Sequence, residues 1–246
     1  MPLTIALLPG DGIGPEVTAE AVRILKNVAD HAGKPFTFST HLIGGAALDA
    51  DGVGLPDRTL EACLGANAVL LGAVGHPKFD GRRPQERPEA AILALRQALG
   101  GFANLRPSVC YPALARRTPY QPERVRGANV LILRELLGGL YYGEPRGFEA
   151  SGNTAFNTMI YSRHEIERIA RVAFERARER KKQLASIDKA NVLETSQLWR
   201  AVVTEVGKAY PDVALEHVFV DAAAMRLAIA PTSFDVMLCE NLFGDI

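Results

Sequence analysis

Short apolar runs recur along this chain, and segments of helical periodicity separate them. The runs Thr4–Leu8, Phe36–Ile43, Ala68–Val74, Phe102–Arg106, Val130–Arg134, Leu184–Asp188, Leu215–Val220 and Asp235–Cys239 read as strands. Helical patterns fall after Pro15, over Leu60–Leu64, from Pro88 to Leu99, over Glu165–Lys182, over Thr195–Lys208 and over Asp221–Ile229. A helix between two strands lets them lie side by side in the same direction, so this alternation predicts an α/β architecture with largely parallel sheets.

Local signals support the boundaries. Pro15 suits a first helical turn, where its missing N–H would have no partner anyway, and Gly33 suits the end of that helix. Val17, Ala21, Ile24, Leu25 and Val28 recur at helical spacing. In Glu165–Lys182 the expected core face is Ile166, Ile169, Ala173, Phe174 and Ala177. The basic run Arg178–Lys182 then sits at a helix C-terminus, where the helix dipole favours cations. Gly138–Gly147 reads as a Gly- and Tyr-rich arm or hairpin, and residues 75–88 as a polar loop. The Gly75–Pro88 loop and the Gly100-Gly101 pair are the two candidate seams between halves, and the expected domains are 1–101 and 102–246, with an arm at about 138–160 in the second. The closing Phe243-Gly244-Asp245-Ile246 follows a buried strand without cap or polar tail and reads as a motif cut short.

Composition narrows the functional classes. Lys+Arg (28) and Asp+Glu (28) cancel, which argues against a broad nucleic-acid or membrane footprint. Apolar residues make up 48%, too many for a disordered chain. Three dispersed cysteines, Cys63, Cys110 and Cys239, suit a reducing compartment, and a cytoplasmic location is expected.

Several residues carry candidate chemistry. Gly10-Asp11-Gly12-Ile13-Gly14 tempts a dinucleotide-fingerprint reading, but the third glycine would be needed where Pro15 stands. A tight strand-to-helix turn needing positive φ is the better reading of these residues. Arg96 lies on a helix, while Arg106 and Arg134 lie in or at the end of apolar strands. Arginine is rarely buried unpaired. The three either grip a small substrate with two carboxylates or pair with local acids such as Glu89, Glu135 and Glu144. Asp221 and Asp245 follow strands at their carboxyl ends, where α/β sheets gather ligands. They can offer oxygen to a hard cation such as Mg²⁺, although Asp221 can equally be a helix N-cap. Lys189 closes the run before it as either a general base or a surface lysine, and Tyr141 and Tyr142 either donate protons or pack.

Together these residues make the chain resemble the isocitrate/isopropylmalate family of β-decarboxylating dehydrogenases. The likeness rests on the segments Leu7 to Glu16, Gly72 to Gly75, Phe102 to Pro107, Arg134 to Leu136, Gly138 to Glu144, Asp188 to Leu193 and Asn241 to Ile246, and so spans nearly the whole chain. It implies that family's two-domain α/β fold, not a conventional Rossmann fold, with a first domain completed by sequence after residue 246. It also implies a further aspartate one helical turn past Asp245.

The resemblance implies roles as well. Arg96, Arg106 and Arg134 would hold the substrate carboxylates, helped by Asp221. Asp221 and Asp245 would bind Mg²⁺ or Mn²⁺. Lys189 would take the C2 hydroxyl proton as hydride leaves for NAD, and Tyr141 would protonate the enol. His76, Pro77, Lys78, Glu89 and Asn191 would border the cofactor. Lys189 and Asp221 would serve the partner's site, which makes a homodimer the expected working unit. Apolar Ile92 and Leu93 after Pro88 suit an isopropyl group, so the implied reaction converts 3-isopropylmalate to 4-methyl-2-oxopentanoate and CO₂ in leucine biosynthesis. A tartrate- or homoisocitrate-type relative, or a dimerising fragment without catalysis, are the alternatives.

Overall fold

The structure, a computed structural model, describes residues 2–246. Its residues group into two compact units on either side of the Gly100-Gly101 pair.

The first unit runs β1 (Leu3–Gly10), α1 (Gly14–Ala32), β2 (Phe36–Thr40), α2 (Gly45–Asp51), α3 (Asp57–Gly65), β3 (Ala68–Ala73) and α4 (Pro88–Leu99). Its sheet has the order β2-β1-β3, and both pairings are parallel. Ala6, Leu8, Ile43, Cys63, Ala91 and Leu95 form the core. Pro15 lies in the first turn of α1, and Gly33 closes it with φ 62°. The turn before α1 demands glycine at position 14, because a Cβ there would sit 2.0 Å from the Pro9 carbonyl oxygen. The apolar stripe of α1 is not its buried face. Val17, Ile24 and Val28 are exposed, and the helix buries Gly14, Thr18 and Ala29 instead. Small side chains let α1 lie close against β1 and β3, which turns the larger apolar stripe outward. Loop residues 75–87 hold two short 3₁₀ turns, Pro77–Phe79 and Pro84–Glu86.

The second unit runs β4 (Ala103–Val109), α5 (Pro122–Val125), β5 (Asn129–Glu135), β6 (Gly147–Phe148), β7 (Ala155–Phe156), α6 (Arg163–Arg178), β8 (Gln183–Asp188), α7 (Glu194–Gly207), β9 (Ala214–Phe219), α8 (Val220–Ile229) and β10 (Val236–Cys239). Its five-stranded sheet has the order β4-β5-β10-β8-β9, parallel throughout except for β4. Its central strands β5, β8 and β10 are covered on both faces and buried on both sides rather than alternating. Leu131, Leu133, Leu184, Val236 and Leu238 meet α6 and α7, whose Ile166, Ile169, Phe174, Trp199 and Val202 are fully or almost fully buried. Ala185, Ile187, Val218, Met237 and Cys239 face the other way, toward Ala223 and Phe234. The core face expected for α6 is realised at every position.

The start of α6 is held by the Ser162 N–H, which donates to the Glu165 carboxylate at 2.8 Å. The helix ends four residues before the expected Lys182, which itself takes a left-handed turn at φ 59°. Its basic end is engaged in ion pairs: Arg178 with Asp212 at 2.6 Å, and Arg180 with Asp235 at 2.8 Å. The arm forms a small hairpin from β6 and β7.

Candidate active site

Parallel strands share one carboxyl end, and in the second unit that end collects the chemistry. Arg134 sits opposite Cys239 on β10, which lies opposite Ile187 on β8, and Asp188 lies opposite Phe219 on β9. The residues that follow, Lys189, Asp221 and Glu240 to Asp245, therefore emerge along one edge of the sheet.

The first cluster gathers on Asp245. Its carboxylate accepts from the Arg134 guanidinium, from the Tyr141 hydroxyl at 2.6 Å and, more loosely, from Arg106 at 3.5 Å. Arg106 also donates to the Gly244 carbonyl oxygen at 2.9 Å. Gly244 is required here, since a Cβ would lie 2.8 Å from the Arg134 side chain. Arg134 is 2% exposed and lies 5.3 Å from the Tyr141 ring centre. Burial, and then the hydrogen bond to Asp245, push the Tyr141 hydroxyl above its ordinary value, so it holds its proton at neutral pH. The acid that Arg106 and Arg134 both meet is Asp245. Glu135 bonds instead to Arg168 and to the N–H groups of Leu137 and Gly138.

The second cluster centres on Lys189, whose ammonium meets the Asp221 carboxylate at 2.9 Å. That hydrogen bond holds the Asp221 carboxyl below the usual carboxylate range. Asp221 lies in the first turn of α8, whose N-cap is Phe219, so the N-cap alternative for Asp221 does not hold. Asn191 lies exposed in the tight turn after Lys189. Among the described residues no three His, Cys, Asp or Glu side chains gather as a metal-holding group.

The remaining candidates lie in the first unit. Arg96, near the end of α4, is half-buried, and its guanidinium makes no hydrogen bond or ion pair among the described residues. Ile92 and Leu93 are half-buried on the same helix. His76, Pro77 and Lys78 open the 3₁₀ turn after β3, and Lys78 pairs with Asp49. Glu89 lies against Gly75, whose added Cβ would meet its carboxylate at 2.8 Å.

Sequence reasoning assigned no role to the residues that hold these loops in place. Buried Asp11 accepts from the N–H groups of Gly45 (2.8 Å), Ala46 (2.7 Å) and Gly75 (2.9 Å), tying three loops together. Buried Asp188 receives Arg200 through two bonds, at 2.8 and 2.9 Å, and the Ala190 N–H at 3.0 Å, which fixes the Lys189 turn. Asn241, Tyr161 and Glu240 are buried beside Arg134 and Glu135. The available signal was polar side chains inside or directly after apolar runs.

Comparison with known proteins gives the family of the chain. The family described as "Isocitrate/isopropylmalate dehydrogenase" matches residues 4–246. The chain is 54% identical over 244 residues to a 3-isopropylmalate dehydrogenase of Geobacillus kaustophilus, covering 98% of this chain and 66% of that protein. It is 54% identical over 245 residues to the 3-isopropylmalate dehydrogenase of Pseudomonas putida, covering 98% and 68%. A crystal structure of isocitrate dehydrogenase from Methylococcus capsulatus superposes with a TM-score of 0.85 at 32% identity, over 99% of this chain and 68% of that one. The chain thus spans about two thirds of the length of these relatives. With the fold, the two clusters and the match over residues 4–246 in agreement, the chain belongs to the isocitrate/isopropylmalate dehydrogenase family.

Proposed function

We propose that this chain carries the substrate-binding and proton-transfer groups of an NAD-dependent 3-isopropylmalate dehydrogenase. The observation that supports this most is the cluster of two guanidiniums, one tyrosine hydroxyl and one carboxylate at the carboxyl end of the second sheet.

In this reading Arg106 and Arg134 exchange part of their present partners for the substrate carboxylates, which they meet in bidentate fashion, and Arg96 adds a third fork. The Lys189 side chain, once it has given up its own ammonium proton, accepts the C2 hydroxyl proton as C2 gives up a hydride, which NAD would take up when bound. The C3–carboxylate bond then breaks, CO₂ leaves, and the electron pair of that bond forms the carbon–carbon double bond of an enolate. The Tyr141 hydroxyl, kept protonated by burial, returns a proton to C3. Ile92 and Leu93 offer apolar surface to the isopropyl group. His76, Pro77, Lys78 and Glu89 border the cofactor in the first unit, and Asn191 contributes from its turn in the second.

Asp221 and Asp245 suit Mg²⁺ or Mn²⁺ because they offer hard oxygen donors that a cation already engages here. They supply part of a ligand set, and a bound ion would withdraw electrons from the C2 oxygen. Lys189 and Asp221 serve the site of a second copy in a homodimer. Exposed Val192, Met225 and Ile229 lie close to them in sequence, as a covered surface would require. No helix of the structure is long and apolar enough to cross a membrane, and a cytoplasmic biosynthetic enzyme is the setting we infer.

The test is NADH formation by the purified full-length enzyme with Mg²⁺ or Mn²⁺. 3-Isopropylmalate should be preferred over isocitrate, homoisocitrate and tartrate. Preference for any of the other three would assign the chain to a sibling activity.

A further inference from the structure

Buried or half-buried guanidiniums in the second unit are mostly met by carboxylates. Arg168 meets Glu135, Arg180 meets Asp235 and Arg200 meets Asp188. Arg134 is the most deeply buried of them, and its inner edge is met by a neutral amide. Its Nε and Nη2 both donate to the Oδ1 of Asn241, at 3.0 and 2.7 Å.

Asn241 is itself held by two further bonds. Its Nδ2 donates to the Gly138 carbonyl oxygen at 2.9 Å, and its backbone N–H donates to the Tyr161 hydroxyl at 2.8 Å. The side chain is fully buried. Its amide cannot turn over without setting NH₂ against the guanidinium N–H groups. One side chain thus joins the end of β10 to the end of β5 and to the glycine turn that follows it.

We infer that Asn241 is a positioning residue for substrate binding, acting through Arg134. It locks the guanidinium plane and satisfies its inner edge without adding a second negative charge, so the charge is directed to the outer edge, where Asp245 holds it here and a substrate carboxylate would take its place. A carboxylate at position 241 would accept the same two bonds and would spend that charge inside the protein. This inference rests on the proposed role of Arg134 in holding substrate.

The test compares Asn241→Asp and Asn241→Ser in the full-length enzyme. If charge is the issue, Asn241→Asp raises KM for 3-isopropylmalate by about tenfold or more, with KM for NAD changed less than about twofold. Asn241→Ser, which leaves more empty space and lowers the unfolding temperature further, raises KM less. A purely structural role predicts the reverse order, with KM tracking the loss of stability, and that result overturns the inference. So does an Asn241→Asp enzyme with wild-type KM.

Calorimetric binding of malate, which carries both carboxylates, is measured in a double-mutant cycle with Arg134→Gln. Substitution of Asn241 should weaken binding when Arg134 is present and change it less than about twofold when it is absent. An undiminished effect without Arg134 refutes action through that residue. Should Asn241→Asp not fold, Asn241→Ser carries the same cycle with the same two outcomes. Malate binding does not depend on turnover, so an enzyme inactive on 3-isopropylmalate would refute the proposed function while the cycle still decides the role of Asn241.

Discussion

Glu240 follows β10 and is 3% exposed, and its Oε1 has no hydrogen-bond partner among the described residues. Burial, and then the nearby Glu135 charge, push its carboxyl up to about 8 from an ordinary 4.5. Below pH 4.5 the group carries its proton in both the folded and the unfolded chain. Between there and about pH 8 the unfolded chain sheds the proton while the folded chain keeps it, so stability falls as pH rises. Above about pH 8 the loss is complete. At about 1.4 kcal/mol per tenfold change in proton affinity, that gap corresponds to at most about 5 kcal/mol.

Glu240→Gln removes the charge and keeps the volume. The variant should match the wild type near pH 4.5, gain on it steadily through neutrality, and level off above pH 8. Trp199 supplies the assay. It is the chain's one tryptophan, 1% exposed, and its ring centre lies 5.5 Å from that of Tyr161, whose hydroxyl feels the Glu240 charge. Urea titrations followed by its fluorescence therefore report on the second unit. A stability difference of equal size at pH 5 and pH 8.5 would refute the reasoning, because an unprotonated Glu240 at pH 5 would then be as well accommodated as a neutral one.

Asp11→Ala should orphan three backbone N–H groups and cost about 3 kcal/mol or more, seen as lost hydrogen-exchange protection at Gly45, Ala46 and Gly75 together. Loss at only one of them would mean that the loops are held independently. Phe174→Ala should cost about 3–5 kcal/mol, since the ring is fully buried and stacked on Tyr210 at 4.9 Å between centres. Chemical denaturation of the variant measures this. Lys189→Met should lower kcat by about a hundredfold or more while leaving substrate affinity largely intact, and a change confined to KM would remove the lysine from proton transfer. Leu93→Ser should erode the preference for 3-isopropylmalate among 3-alkylmalates, because each buried methylene contributes only about 0.8 kcal/mol. Unchanged kcat/KM ratios would contradict that.

What could be read from residues alone depended on whether local pattern or distant contact decided the outcome. The α6 face was legible because five apolar positions at helical spacing met a sheet covered on both sides. The α1 face was not, because periodicity shows that a stripe exists and not what stands opposite it. Thr18 and Ala29 proved to be the contact, and Val17, Ile24 and Val28 were left outside. The candidate site residues Arg134, Lys189 and Asp245 stood out as charges at or just past the ends of apolar runs. Their supports did not. Asp11 acts on partners 34, 35 and 64 residues away, and Asn241 holds an arginine 107 positions earlier. Such separations have no signature in spacing and become visible only when sheet register brings the strands side by side.

Gly244 shows what that dependence implies for altering the enzyme. Its missing side chain is the room in which the stem of Arg134 lies. A methyl group added there touches no reactant, yet it would lever the arginine and the neighbouring aspartate apart. A mutational survey of this protein would accordingly score a residue with no chemistry of its own among the most intolerant, and the damage would surface as lost affinity for dianions long before the chain lost its shape.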